Sequence, residues 1–594
     1  MNIEHYREMK TEAKKLLSEG LPYGFASAVI WELANRDIEE IDVKGICDIS
    51  SLVIETKPDC LTEQEKGKLW KFEGSTEARV ALLAADTDKV KSYVFESPRL
   101  PEIRGGSLIL EGLNTKKFIK TEVLDKYDLP EDCIVYCSGG SILLFTPASL
   151  AQEIKQLIEK QYLEETITAT ITVVTEAFSY SQFCLGLDAS AEKPYGFGEL
   201  VDYMAYRIRR AKQEKKYVPF CETVPFARQC DSCGIRPVSR TVKADDEQIH
   251  LCNSCHKKRI EGRDKRGYLL KTIADKLPDI RDIYADCDNP KDLEAISGFS
   301  EGKYIGLIYA DGNGVGKQME KLSSCEEYRR FADGMLRATS VDMCRVLAVP
   351  DLISEDRIYG IEMLCGLGSD DVMAIVPGKY ALQLAVNMCK AFENSMPDLT
   401  MSAGVIIAPY DYPVYFLEET CEQLLKSAKS KSRKLERMEG RAKATIDFWA
   451  ITSQEVMASN LESHREQYME IKLSDDDRLV LYERPYTLGK LQSLLKWIRK
   501  FRRCGFPVNQ LYGLREMLDK GRMQASLYYL YQLSRMSKDN RNLIQDFVAD
   551  WYPGNGALFP WSKREKPAGY TAYSTPIVDL LEIYNLAEGV QTWK

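Results

Sequence analysis

The feature that most limits how this chain can fold is an internal repeat of one order of elements. Arg79 to Asp86 (RVALLAAD) reads as a short apolar strand that ends on an acid, and Lys303 to Asp311 (KYIGLIYAD) reads the same way. Helical material follows each. Then comes a hairpin signal, CIVYC-SGGS-ILLFTP at Ser138 to Ser141 and MLCGL-GSDD-VMAIVP at Gly368 to Asp371. Alternating apolar and β-branched residues flank a turn whose glycines tolerate positive φ. A helix, a strand and a basic helix complete each copy: SLAQEIKQLIEKQ, ETITATITVVTEAF and GELVDYMAYRIRRAKQEKK, then KYALQLAVNMCKAFENS, LTMSAGVIIAP and LEETCEQLLKSAKSKSRK. A recurring β-α-β-β-α-β unit predicts an α+β fold with two related domains.

The rest of the chain is arranged around these copies. The segment before the first copy reads as amphipathic helices, as in TEAKKLLSEGLPYGFASAVIWELANR. A Gly-rich break is expected at Arg104-Gly105-Gly106-Ser107 within the helical stretch of the first copy. A cysteine knuckle and a basic run fill residues 220–265 between the copies. From about residue 455 the periodicity is helical, as in YTLGKLQSLLKWIRKFRR, and predicts a helical bundle. At ~150 residues per domain, 594 residues leave room for all of these parts.

Composition removes several classes of function. Eighty Lys+Arg against 89 Asp+Glu give a net charge of -9, which excludes a uniformly basic nucleic-acid coat while leaving local basic stripes. The opening MNIEHYREMKTEAKK is too charged for a signal peptide, and no apolar run approaches the ~18–20 residues of a membrane span. Seventeen cysteines, an odd number scattered through hydrophobic segments, read as reduced thiols. A cytoplasmic protein with no membrane partner is the expectation.

Three carboxylates carry the strongest chemical signal. Asp311 ends a strand, and Asp370 and Asp371 sit in or just past the hairpin turn. If those strands are neighbours, the acids converge at one sheet edge, and hard oxygen ligands at that density suit Mg²⁺ or Mn²⁺ with substrate phosphates. Two such ions can activate a hydroxyl and stabilise a leaving pyrophosphate. Gly312, Gly314, Gly316 and Gly368 let the backbone approach a triphosphate, and Lys429 on the following helix can add positive charge. The plainer alternative is a pair of ordinary turns, in which Asp, Asn, Ser and Gly dominate anyway.

Cys230-x-x-Cys233 and, across a short intervening stretch, Cys252-x-x-Cys255 have the spacing of a closed, structural Zn²⁺ site with four thiolates. A redox pair or unconnected cysteines are the alternatives. His250 and His256 lie beside the second knuckle, but four cysteines already fill the shell. The chain has four histidines, His5, His250, His256 and His464, and none precedes an Asp, so it has no His-Asp phosphohydrolase motif. Basic runs at 207–216, 257–266, 426–434 and 496–503 read most simply as solvated helix faces, although they permit contact with RNA or nucleotides.

These residues resemble the large polymerase-cyclase subunit of type III CRISPR effector complexes. The matching stretches are LLAADTDKVKSYVF, LPEIRGGS and CSGGS in the first copy, and YADGNGVGK, GSDD, MSAGVIIAPYDYPVY and the AKSKSR segment in the second. The resemblance implies two ferredoxin-like palm domains, a zinc-binding insert and a C-terminal helical domain. The expected division is an N-terminal helical segment over 1–75, a first, non-catalytic palm over 76–219, a zinc-binding and helical linker over 220–300, a catalytic second palm over 301–450 and a helical domain over 451–594.

Carried over position by position, the resemblance makes Asp311, Asp370 and Asp371 the catalytic residues and the ligands of two Mg²⁺ or Mn²⁺ ions. It makes Ser107 a contact for the acceptor adenine and Lys429 a phosphate contact. Gly312, Asn313, Gly316, Gly368 and Ser369 would line the nucleotide in the second palm, and Gly139 and Gly140 in the first. Two departures stand out. Many family members begin with an HD nuclease domain, which the N-terminal helical segment does not resemble, so DNA cleavage is not expected. The hairpin also reads Gly-Ser-Asp-Asp where the family has Gly-Gly-Asp-Asp, with Ser369 in the second glycine position. The expected activity is conversion of ATP, or another nucleoside triphosphate, into cyclic or linear oligoadenylates. CRISPR RNA-bound subunits and target RNA are the implied partners. A stand-alone defence cyclase and a catalytically weakened scaffold subunit remain as alternatives.

Overall fold

The computed structural model describes every residue except 1–2, 17–22, 37–40, 77, 189–194, 216–225, 245–246, 365–369, 452–459, 475–476, 553–558, 566–570 and 590–594. It divides into two compact units. One comprises residues 1–272, 314–341 and 364–372, and the other residues 273–313, 342–363 and 373–594.

The first unit opens with four helices: α1 (Ile3–Leu16), α2 (Gly24–Asn35), α3 (Val43–Glu55) and α4 (Glu63–Ser75). Thr62 and Glu65 form a capping box that starts α4 by satisfying backbone N–H groups left without helical partners. The first repeat follows as β1 (Val80–Thr87), α5 (Val90–Val94), α6 (Leu100–Leu113), α7 (Lys116–Glu122), β2 (Ile134–Ser138), β3 (Ser141–Pro147), α8 (Ala151–Thr166), β4 (Ile171–Phe178), α9 (Tyr180–Leu185) and α10 (Phe197–Glu214). Its antiparallel sheet has the order β2-β3-β1-β4. Phe25 of α2 meets Phe145 of β3 and Phe183 of α9 edge-to-face at 5.2 and 5.1 Å, so the N-terminal helices close the core of this sheet. Gly139 and Gly140 make the hairpin turn at φ 58° and 85°, as the sequence signal predicts.

The knuckle segment contributes the hairpin β5 (Arg240–Ala244) and β6 (Glu247–Leu251), then α11 (Asn253–Asp264) and α12 (Tyr268–Lys276). The expected Gly-rich break at 104–107 is not there, because α6 runs unbroken through Arg104-Gly105-Gly106-Ser107. The glycines serve packing instead. A Cβ on Gly105 would lie 1.7 Å from the Lys258 carbonyl oxygen, and one on Gly262 would lie 1.9 Å from that of Pro101, so α6 and α11 meet backbone to backbone. Arg104 donates to the Gly262 carbonyl at 2.9 Å across this seam.

The second repeat is preceded by α13 (Arg281–Tyr284) and α14 (Leu293–Ser297). It runs β7 (Tyr304–Asn313), α15 (Val315–Met319), α16 (Cys325–Thr339), α17 (Val341–Leu347), β8 (Glu362–Leu364), β9 (Asp371–Pro377), α18 (Ala381–Ser395), β10 (Thr400–Pro409) and α19 (Val414–Glu439). α15 and α16 belong to the first unit, where Tyr328 of α16 meets Phe197 of α10 at 5.8 Å. This sheet has the order β7-β9-β8 on one side and extends on the other through β10 to β11 (Thr445–Ala450) and β14 (Tyr486–Thr487). β10 is buried on nearly its whole length, which is why it reads as a continuous apolar run rather than an alternation.

The C-terminal part holds α20 (Leu461–Tyr468), β12 (Glu470–Lys472), β13 (Asp477–Val480), α21 (Leu488–Arg503), α22 (Val508–Leu518), α23 (Arg522–Arg535), α24 (Lys538–Trp551), β15 (Ser562–Glu565), β16 (Thr571–Ser574) and α25 (Ile577–Glu582). The expected all-helical bundle therefore also carries a four-stranded sheet, β12-β13-β16-β15. Its strands are only a few residues long, too short to leave a period in the sequence. Buried ion pairs fasten this part to β11: Arg465 grips Asp447 through two 2.8 Å hydrogen bonds, and Arg484 pairs with Asp579 at 3.1 Å and with Glu582.

Candidate active site and metal centre

In the second repeat, β7 and β10 are antiparallel with Asp311 opposite Ser402 and Asn313 opposite Thr400. Asp311 pairs with Lys429 of α19 at 2.6 Å, and both side chains are about a quarter exposed. Asn313 turns its amide back into the sheet, donating to Thr400 Oγ1 and Ser402 Oγ at 2.9 Å each. Gly312 continues β7 opposite Met401, and Gly316 lies in α15 with open space where a Cβ would be. Asp371 opens β9, the sheet neighbour of β7, and Asp370 precedes it; both are partly exposed. Gly368 and Ser369 lie outside the described residues.

The first repeat holds the same framework with different charges. Asp86, one residue before the end of β1, lies opposite Ser141 on one side and Thr172 on the other. Ser141 Oγ donates to Asp86 at 2.9 Å, and Lys212 of α10 pairs with Asp86 at 2.6 Å. Asp88, whose side chain is 2% exposed, accepts from Thr170 and Thr172 at 2.7 and 2.8 Å and pairs with Lys215 at 2.6 Å. Burial works to raise the Asp88 carboxyl, but hydrogen bonds from Lys215, Thr170 and Thr172 outweigh it and hold the group below the usual carboxylate range. Thr87 N–H and hydroxyl both reach the Gly140 carbonyl, at 2.8 and 2.9 Å, which fixes the hairpin of Gly139 and Gly140 against β1. Ser107 is buried on α6, 2% exposed.

Sequence patterning points to Lys429 but misses Lys212, Lys215 and Lys258. Three of the four basic runs, read as solvated faces, send a cation inward: Lys212 and Lys215 from the first, Lys258 from the second and Lys429 from the third. Lys258 is fully buried, 3.0 Å from Glu96 and 3.7 Å from the centroid of the Tyr93 ring. Helical spacing shows which residues share a face, but not which acid faces them from another element.

Cys230, Cys233, Cys252 and Cys255 place all four Sγ atoms within 4.8 Å of one another. Cys252 caps α11, its Sγ accepting from the Cys255 N–H at 3.4 Å. Arg236 reaches the sulfurs of Cys233 and Cys252 at 3.8 and 3.7 Å, a positive charge well placed beside thiolates. The Cys230 thiol is pushed far down by hydrogen bonds from Cys233, Cys252 and Cys255. Four converging soft ligands with a balancing cation fit a tetrahedral zinc ion.

Residues 304–436, from β7 through most of α19, match the family model described as Cas10/Cmr2, second palm domain. The second repeat is thus similar to the second palm of the Cas10/Cmr2 family. That is the type III polymerase-cyclase family the sequence resembles. Among solved structures, the chain is similar to a Csm1-Csm4 cassette in complex with pppApA at 12% identity and TM-score 0.52, over 98% of this chain and 80% of that one. At that identity the likeness establishes the fold alone. The chain is also similar to Csm1 of T. onnurineus at 14% identity and TM-score 0.48, over 91% of this chain and 73% of that one. No curated protein matches. Among the described residues, no helix is long and apolar enough to cross a membrane.

Proposed function

We propose that this protein polymerises ATP into cyclic or linear oligoadenylates as part of an antiviral, type III CRISPR-like response. The observation that carries the reading is the pair of matching strand ends. Asp86 and Ser141 are direct cross-strand partners in the first palm, and Ser141 opens β3 as Asp371 opens β9. By that internal measure Asp311 and Asp371 would be cross-strand neighbours, with Asp370 beside them, so that the second palm would carry carboxylates where the first carries Gly140 and a hydroxyl.

Asp311, Asp370 and Asp371 would hold Mg²⁺ or Mn²⁺, which when bound favours ionisation of an attacking hydroxyl and offsets charge on a leaving pyrophosphate. Lys429 would meet a phosphate once Asp311 is engaged elsewhere, and Asn313 ties the end of β7 to Thr400 and Ser402. Catalysis here is mostly positioning and charge stabilisation: the 3′-hydroxyl of a nucleotide on the first palm attacks the α-phosphate of one on the second. Ser107 would face the acceptor adenine, and Gly139, Gly140, Gly312, Gly316, Gly368 and Ser369 the nucleotides. The domain limits are those expected from the sequence: helical 1–75, first palm 76–219, zinc-binding linker 220–300, second palm 301–450 and C-terminal domain 451–594. The working location is the cytoplasm, with CRISPR RNA-bound subunits and target RNA as partners. The Csm1-Csm4 cassette with pppApA supports the nucleotide class.

The test is incubation with labelled nucleoside triphosphates and Mg²⁺ or Mn²⁺, with and without RNA-bound partner subunits. Oligoadenylate that disappears in the Asp370→Ala/Asp371→Ala variant is expected. A wild type that makes no oligonucleotide under any of these conditions overturns the reading and leaves the scaffold alternative.

A further inference from the structure

The two palms share a lysine–aspartate pair that neither spacing nor periodicity discloses. α19 brings Lys429 to Asp311, and α10 brings Lys212 to Asp86, each at 2.6 Å. Three residues beyond Lys212 stands Lys215, which neutralises Asp88. Three beyond Lys429 stands Ser432, 1% exposed, and opposite it in the framework Asp88 is replaced by Asn313. That difference is charge-neutral: an ion pair has become two uncharged residues. The difference that is not neutral lies at the hairpin, where Gly140-Ser141 in the first palm corresponds to Asp370-Asp371 in the second. In the first palm, Asp86 and Lys212 cancel. In the second, the hairpin adds two carboxylates to the Asp311–Lys429 pair.

We propose that Lys429 is a placeholder cation. It occupies Asp311 while the second palm is empty and is displaced by the divalent metal, which frees its ammonium for the incoming phosphates. Lys212 is the permanent version of the same group, because Ser141 adds no charge to recruit a competitor. Ammonium and divalent metal compete for one carboxylate, so removing the ammonium strengthens metal binding. The inference rests on the metal reading given above, and its test separates the two.

The test counts Mn²⁺ bound by the full chain, without nucleotide, from the electron paramagnetic resonance signal of the free ion. Wild type should bind Mn²⁺ saturably. Lys429→Met should bind it about tenfold more tightly or better at the same stoichiometry, and Lys429→Arg should return to wild-type affinity. Lys212→Met should leave affinity and stoichiometry unchanged. Asp371→Ser, which gives the second palm the hairpin residue of the first, should weaken binding and shrink the gain from Lys429→Met. Lys212→Met with Ser141→Asp should create an additional site that Asp86→Asn removes. Saturable binding that Lys429→Met leaves equal or weaker overturns the placeholder while the metal reading stands. An equal gain from Lys212→Met also overturns it. Wild type that binds no Mn²⁺ overturns both. Should the Ser141→Asp variant not fold, the Lys429 and Lys212 single variants decide the matter alone.

Discussion

Gly105→Ala tests the seam between α6 and α11 with a single carbon atom. The new Cβ would sit 1.7 Å from the Lys258 carbonyl oxygen, where real Cβ atoms essentially never come closer than 3.0 Å, so the two helices must part to make room for it. The obstacle is backbone and cannot rotate away. Overpacking of this kind costs ~1–3 kcal/mol. Parting also stretches the 2.9 Å bond from Arg104 to the Gly262 carbonyl, a charged donor worth ~1.5–3 kcal/mol. Alanine returns ~1 kcal/mol of helix propensity, which leaves a net loss of about 1.5–5 kcal/mol. The neighbouring residue is the control. A Cβ on Gly106 meets nothing nearer than 3.5 Å, an ordinary contact, so Gly106→Ala should be neutral or stabilising by up to ~1 kcal/mol. Because Cys252 and Cys255 lie at the start of α11, guanidinium-induced zinc release followed with a chromogenic indicator reports on this segment specifically. Gly105→Ala should release zinc at clearly lower denaturant than wild type, and Gly106→Ala should not. Identical release profiles for Gly105→Ala and wild type would refute backbone-to-backbone packing.

Purified protein should contain one zinc ion per chain. Cys252→Ser should lose it and become sensitive to protease between residues 226 and 264, because metal-binding free energy is folding free energy in such knuckles; zinc-free wild type of normal stability would contradict this. Arg465→Met strands the fully buried carboxylate of Asp447 and should cost ~3–5 kcal/mol, read as an earlier thermal transition; an unchanged transition would count against a buried pair. Asp88 has a folded pKa held below its ordinary value, so its contribution is complete above the ordinary carboxylate range and is lost as pH falls through the folded value. Asp88→Asn should therefore flatten the acid limb of the stability profile, and a profile of unchanged slope would show that this group does not titrate with unfolding.

The parts of this fold that were legible in the sequence are those fixed by local chemistry. The strands that carry Asp86 and Asp311 near their ends, the Gly139-Gly140 turn and the paired C-x-x-C knuckles each need particular residue types at adjacent positions, and those types can be read directly. What stayed hidden depends on a partner from elsewhere in the chain. Gly105 and Gly106 read as a break because glycine costs a helix ~1 kcal/mol; only the approach of α11 shows why one of them is needed. Lys212, Lys215 and Lys258 lie in runs that look solvated, and each is recognised only once its acid, far away in sequence, is seen beside it. The short C-terminal strands leave too few residues for alternation to emerge from the surrounding helices.

Buried charges fasten the knuckle segment to α6 of the first repeat, within the same compact unit. Glu102 of α6, fully buried, takes Arg259 of α11 at 2.8 Å and the Ser232 hydroxyl from the first knuckle turn at 3.2 Å. Glu96 takes both Lys258 and Arg236, and Arg236 in turn touches two of the sulfurs. A chain of charge therefore runs from the thiolates through Arg236 and Glu96 to Lys258, which is stacked on Tyr93 of α5, just before α6. Removing the four sulfur charges would leave Arg236 with Glu96 alone, and removing the metal would free the first turn of α11 that carries Cys255. Either change acts on the helix against which Gly105 is packed, and the α6 helix that Gly105 belongs to also carries Ser107. A zinc ion held by the four cysteines would thus stabilise the part of the first repeat that carries Ser107, and its loss should affect nucleotide binding there more than metal binding at Asp311.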